Sequence, residues 1–212
     1  MLQLLMNGQV QLFVIILVAI TLSLTLHEYG HAQSAKLLGD DTAERLGRLT
    51  LNPLAHIDPV GLLMVIIVGF GWAKPVPINI RNMKSPWAGA AVAAAGPLMN
   101  LLLAVVAINL YAWGAKTGSF ELTGSRIMAL SIVAQINLLL MMFNLIPLGP
   151  LDGHYIMSWL LPRNLGMRYD EFNARFGSYV FLALILISFA GVPIFRVLMS
   201  FSEALIPYIM FV

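Results

Sequence analysis

"LFVIILVAITLSLTLHEYGH" (Leu12–His31) runs for fifteen residues without a charge and then sets two histidines and a glutamate within five positions. An apolar run of this length predicts a membrane-spanning helix over about Gln11–Leu38. At 3.6 residues per turn, His27 and His31 stand one above the other on a single face. That H-E-x-x-H spacing lets two imidazoles grip one cation and leaves Glu28 beside it to work on a water. Polar and ionisable groups near hydrocarbon cost a few kcal/mol or more each, so the cluster predicts a site. The competing reading is a polar patch that hydrogen-bonds to neighbouring helices.

The rest of the chain has the same character. Of its 212 residues 59% are hydrophobic and only 10% charged, with a mean hydropathy of +0.86. Soluble domains carry about 25% charged residues, so this chain cannot cover a water-facing surface and is an integral membrane protein. A net charge of +2 with no basic stripe excludes nucleic acid as a partner. The absence of cysteine excludes thiolate ligands and a disulfide framework, so any zinc site uses histidines and carboxylates. The N-terminal "MLQLLMNGQV" has no basic region of the kind that opens a signal peptide, and the first apolar segment is expected to be retained.

Further candidate segments are Val60–Trp72, Trp87–Trp113, Ile127–Ile146 and Gly177–Met199, the last interrupted at Gly191–Pro193. Together they predict an all-α polytopic membrane protein, a bundle of about four to six transmembrane helices. Val60–Trp72 is too short and glycine-rich to span, which predicts a re-entrant or β-like membrane-associated segment around residues 60–80. No connection is long enough for a second folded domain, so residues 1–212 are expected to form one unit, with a core over 11–161 and C-terminal helices over 177–212. Nine lysines and arginines fall on one side of the alternating segments and two on the other, with Arg196 unassigned. The positive-inside rule makes the richer side cytoplasmic and places "HEYGH" toward it.

Two histidines do not complete a catalytic zinc site, which usually has three protein ligands. In "NLIPLGPLDGHY" (Asn144–Tyr155) an apolar helix is expected to stop near Pro147 and resume after Gly153. Non-helical backbone at membrane depth is tolerated where protein covers it or it lines a wet cavity. Asp152 is therefore the preferred third ligand and His154 its rival. His56 and Asp58 could make a second metal site, or simply a turn with local hydrogen bonds. "KPVPIN" (Lys74–Asn79), with two prolines, reads either as an edge strand that receives substrate or as a rigid surface loop.

"HEYGH" followed at a distance by "NLIPLGPLDG" resembles the site-2 protease family of intramembrane zinc metalloproteases. "GRLTLNPLAHIDPVG" (Gly47–Gly61), "GFGWAKPVPIN" (Gly69–Asn79) and "AGPLMN" (Ala95–Asn100) are similar to its compact members without a PDZ domain. The resemblance implies one Zn2+ held by His27, His31 and Asp152, with Glu28 as catalytic acid/base. It implies that Asn144 holds substrate or steadies the oxyanion, and it matches Asn100 to a recurrent asparagine of uncertain role. The implied activity is hydrolysis of peptide bonds in or near transmembrane segments of substrate proteins, in a prokaryotic cell membrane. One departure is His154, where many relatives carry a small residue. Two other readings stay open: a metal-ion transporter using the same cluster, and an inactive relative that binds transmembrane helices.

Overall fold

The computed structural model describes residues 1–121 and 124–212. After a short α1 (Leu2–Met6), the opening run forms α2 (Val10–Leu37), 28 residues or about 42 Å long. Its hydroxyls do not disturb the helix, because Ser23 and Thr25 donate back to the carbonyls of Ala19 and Thr21. The buried side of α2 is a stripe at spacings of four, Ala19, Ser23, His27, His31 and Ala35. It meets a matching stripe on α5 (Ala88–Thr117), where Ala88, Val92, Gly96, Asn100 and Ala104 are buried. Small residues bring the two backbones close, as expected where lipid supplies no push between helices. A Cβ on Gly30 would lie 2.8 Å from the Ala95 carbonyl oxygen and 2.6 Å from Met99 Cγ.

Between these helices lie α3 (Thr42–Arg45) and α4 (Pro59–Val68). Asp58 caps α4 by accepting from Gly61 N–H, and Gly69 ends it at φ +86°. At ten residues α4 cannot cross a bilayer. The β-like expectation for residues 60–80 reduces to one bridge, Ile57 with Ala73, and the described residues hold no sheet. The reason is local. Pro75 and Pro77 have no N–H, and side chains take the N–H groups of Val76 and Asn79.

Helix α6 (Ser125–Asn144) packs on α5 through Ala104, Leu138 and Met141. It stops at Asn144, and α7 (Asp152–Leu160) resumes at Asp152 itself. α8 (Arg163–Phe172) and α9 (Ser178–Phe189) are joined by a π turn at Asn173–Gly177 into one helix. That helix begins at Arg163, not at Gly177. Its first half carries Arg163, Arg168, Asp170, Glu171 and Arg175, which hide the helix from a hydropathy reading. α10 (Ile194–Ile209) lays Leu205, Ile206 and Ile209 against α5 and α6. Asn109 of α5 clasps its end, donating to Ile209 O and accepting from Phe211 N–H.

Among the described residues, four helices are long and apolar enough to cross a membrane: Val10–Leu37, Ala88–Thr117, Ser125–Asn144 and Arg163–Phe189. The protein is thus an all-α, multi-pass membrane protein.

Candidate metal centre

The centre forms where the last third of α2 meets the first half of α5 and the start of α7. His27 Nδ1 lies 2.6 Å from Asn100 Oδ1. The amide orientations follow from a chain of buried partners. Asn137 donates to Val133 O, a pure acceptor, and to Ser23 Oγ. Its Oδ1 therefore faces Asn100, which donates through Nδ2 to Asn137 Oδ1 at 2.8 Å and to Ser23 O at 3.3 Å. Asn100 then turns its oxygen toward His27, whose Nδ1 must carry the proton. His31 is fixed more simply, since its Nδ1 can only donate to Val92 O, at 2.7 Å.

Both imidazoles consequently present bare Nε2 lone pairs, 3.0 Å apart. Asp152 brings its carboxylate to the same point, with Oδ2 3.2 Å from His27 Nε2 and Oδ1 3.4 Å from His31 Nε2. Asp152 Oδ2 is buried and has no hydrogen-bond partner among the described residues. Three acceptors converging in a buried site repel one another unless a cation lies among them. A proton satisfies one pair at a time, whereas a divalent ion satisfies all three. Zinc–nitrogen bonds of about 2.0–2.1 Å in a tetrahedron imply a ligand–ligand edge of about 3.3 Å, close to the observed spacings. The donor set, two neutral imidazoles and a carboxylate, suits Zn2+. The residues fit the ion.

An oxygen of Glu28 joins the two imidazole nitrogens in a cluster within 4.8 Å. Glu28 is itself buried, and its Oε2 accepts from Val76 N–H at 2.9 Å. Gly96 forms the floor: a Cβ there would lie 2.4 Å from His31 Nε2 and 2.7 Å from His27 Cε1. Asp152 stands in the first turn of α7, where the helix dipole favours a carboxylate. The break before it is partly exposed and is tied to the Arg163–Phe189 helix by hydrogen bonds. Gly149 N–H donates to Asn173 Oδ1, and Tyr169 O–H donates to Pro147 O. Gly153 packs against the end of α6, where a Cβ would lie 2.4 Å from Leu145 O.

Other candidates fall elsewhere. Asn144 closes α6, and its Nδ2 donates to Leu140 O; among the described residues it makes no hydrogen bond to the cluster. His154 faces α8, with Nε2 3.2 Å from Asp170 Oδ1, so Asp152 and not His154 joins the two imidazoles. His56 Nε2–H donates to Thr50 O and Asp58 caps α4, which makes that pair a turn and not a second metal site. Outside the spans, burial pushes the Asp40 carboxyl up, but hydrogen bonds from Thr42, Asn79 and Asn82 outweigh it and hold its pKa below the ordinary aspartate value. Burial lowers the Arg48 guanidinium pKa, and the charge of Glu28 acts in the opposite direction.

Asn137, Arg48 and Asn173 escaped the sequence reading. For Asn137 a signal existed, because an amide in an apolar helix demands a buried partner.

Apolar spans enclosing an H-E-x-x-H pair that meets a distant aspartate define a membrane-embedded metallohydrolase. Comparison with known proteins carries this further. The chain matches the model of Peptidase family M50 over residues 15–121 and 115–188. It is 41% identical over 174 residues to YwhC of Bacillus subtilis (strain 168), provisionally named a zinc metalloprotease, covering 80% of this chain and 78% of that protein. It is 31% identical over 156 residues to Rip2 of Mycolicibacterium smegmatis (strain ATCC 700084 / mc(2)155), which carries the same kind of provisional name, covering 68% of this chain and 56% of Rip2. The chain thus spans little more than half the length of that mycobacterial relative. No solved structure matches it. The chain belongs to peptidase family M50, the site-2 protease family, and is a zinc metalloprotease.

Proposed function

We propose that the protein is an intramembrane endopeptidase that hydrolyses peptide bonds in or near transmembrane segments of other proteins, serving regulated intramembrane proteolysis. His27, His31 and Asp152 hold one Zn2+, and Glu28 is the general base. The observation that carries this reading is the convergence of two Nε2 lone pairs and the Asp152 carboxylate at 3.0–3.4 Å, with Glu28 alongside.

When bound, zinc supplies a Lewis acid that acidifies a water and polarises a carbonyl. The chain's own groups do the rest. Asn100 and Val92 hold the imidazole tautomers. Val76 N–H steadies one oxygen of Glu28, leaving the other to take a proton from the attacking water and return it to the leaving amine. Asn144 keeps a second amide N–H beyond the one given to Leu140 O, and offers it to the substrate carbonyl oxygen. The chain acts as a single catalytic unit over residues 1–212. The bias of basic residues supports a site toward the cytoplasmic side, and the bacterial relatives support a prokaryotic cell membrane.

The test is reconstitution of the wild type, Glu28→Gln and Asp152→Ala in liposomes with a model transmembrane substrate. Glu28→Gln should bind one zinc yet cut at least about 100-fold more slowly. Asp152→Ala should lose both zinc and cleavage. Metal flux without cleavage would overturn the proposal in favour of transport.

A further inference from the structure

Arg48 lies beyond α3, remote in sequence from the H-E-x-x-H pair, yet it is buried to 7% exposure. Its guanidinium forks onto two successive carbonyls, with Nη2 donating to Lys74 O at 2.6 Å and Nη1 to Pro75 O at 3.0 Å. A regular strand points successive carbonyls to opposite sides, so this grip also fits the lack of a strand beyond Lys74. Lys74 N–H itself donates to His56 O, the last link of the Ile57–Ala73 bridge. The next donor along the chain is Val76 N–H, and it goes to Glu28 Oε2.

Pro75 C=O and Val76 N–H belong to one planar trans peptide unit, with oxygen and hydrogen on opposite edges. Arg48 holds one edge of that plane and Glu28 accepts from the other. Hydrogen bonding at the carbonyl polarises the same unit and strengthens its N–H as a donor. The segment has no competing donor on either side, because Pro75 and Pro77 lack N–H groups. Its far end is tied down separately, where Asp40 accepts from Asn79 N–H at 2.7 Å and from Asn82 Nδ2 at 2.7 Å. Arg48 Nε is buried and has no partner among the described residues. The guanidinium thus sits where the two carbonyls need it, at a cost to its own hydrogen bonding.

We propose that Arg48 is a positioning residue for the reaction, orienting the Glu28 carboxylate through the Pro75–Val76 peptide plane. The inference rests on the reading of Glu28 as general base. Arg48 touches neither the metal ligands nor the reacting atoms, so its removal should leave zinc in place and misdirect the base.

The experiment uses the full-length protein in liposomes, comparing Arg48→Gln, Arg48→Lys, Val76→Pro, the Arg48→Gln/Val76→Pro double variant and Glu28→Gln. Zinc content, kcat and KM are measured for each. Arg48→Gln should lower kcat about 10- to 100-fold, the scale of a small misplacement of a catalytic group, with one zinc still bound and KM little changed. Arg48→Lys should not restore the rate, since one ammonium cannot reproduce the planar fork. Val76→Pro removes the N–H directly and should fall to a similar level, and the double variant should be no slower than the worse single one. Multiplying losses in the double variant would show that Arg48 acts otherwise and would overturn the proposal, as would zinc loss in step with the rate. Should Arg48→Gln fail to fold, Val76→Pro alone decides, and a wild-type kcat there overturns it. Wild-type cleavage by Glu28→Gln would instead sink the parent reading. An inert Glu28→Gln beside a fully active Arg48→Gln would sink this inference alone.

Discussion

The two halves of the proposed metal centre are mounted in different ways. His27 and His31 rise from one long helix, and their Nδ1 atoms are pinned by a buried amide and a backbone carbonyl of the next. Asn100 and Asn137 behind them are wholly buried, at 0% exposure. Asp152 opens a nine-residue helix after an irregular stretch; that helix packs on α5 and the end of α6, but the polar side-chain contacts it makes run outward to α8. There, Asp170 accepts from Ser158 Oγ and pairs with His154, with its side chain 51% exposed. The difference teaches a division of labour. The imidazole half is preorganised by groups that cannot move without leaving a buried polar atom unpaired. The polar ties of the carboxylate half are ones that water can replace, so the contrast between the halves lies in their hydrogen bonds.

The sharpest way to break this contrast is Gly96→Ala. The new Cβ would fall 2.4 Å from His31 Nε2 and 2.7 Å from His27 Cε1, distances that real Cβ atoms essentially never show. If the imidazoles are as fixed as their Nδ1 partners imply, they cannot step aside. Zinc affinity, measured by competition with a chelator, should drop roughly 100-fold, the upper range for disturbed support of a metal ligand. Wild-type affinity in this variant would mean that the cradle is soft.

Asn100→Leu comes next. It leaves His27 Nδ1–H and Asn137 Oδ1 without partners in a buried place, at about 1–3 kcal/mol of stability for each. It also frees the His27 tautomer, so zinc affinity should fall about 10-fold or more. Thermal unfolding and chelator competition report the two effects separately, and no change in either would remove the amide chain from the account.

How far this arrangement could be read from the sequence depends on the range of each contact. His27, Glu28 and His31 lie within one helical turn, so their meeting follows from helix geometry alone. Asp152 was recoverable because a proline- and glycine-broken run at membrane depth needs a reason to exist. Asn137 and Arg48 were not recovered. Their partners lie across separate elements, and although an amide in an apolar helix such as Asn137 signals a buried partner, it does not say which one. The N-terminal half of the Arg163–Phe189 helix was missed for the opposite reason. Its charges look like loop, but they sit on a helix whose inner side meets the broken segment through Tyr169 and Asn173. Of the two readings of residues 74–79, edge strand or rigid loop, the strand does not form because side chains take the donors that it needs, a substitution that local propensity cannot register.

The smallest effect should come from the carboxylate half. Asp170→Asn keeps the shape of the side chain but removes the charge facing His154 and weakens the acceptor for Ser158. Exposed pairs of this kind contribute about 0–1 kcal/mol. Zinc affinity should therefore stay close to that of the wild type, and the melting temperature should fall only slightly. The informative quantity is the ratio of this loss to that of Asn100→Leu. A large ratio in favour of Asn100 supports an imidazole half held by buried hydrogen bonds facing a carboxylate half whose polar ties water can replace. If Asp170→Asn weakens zinc binding as much as Asn100→Leu does, then α8 is as firm a mount for Asp152 as α5 is for His27, and the two halves are built alike.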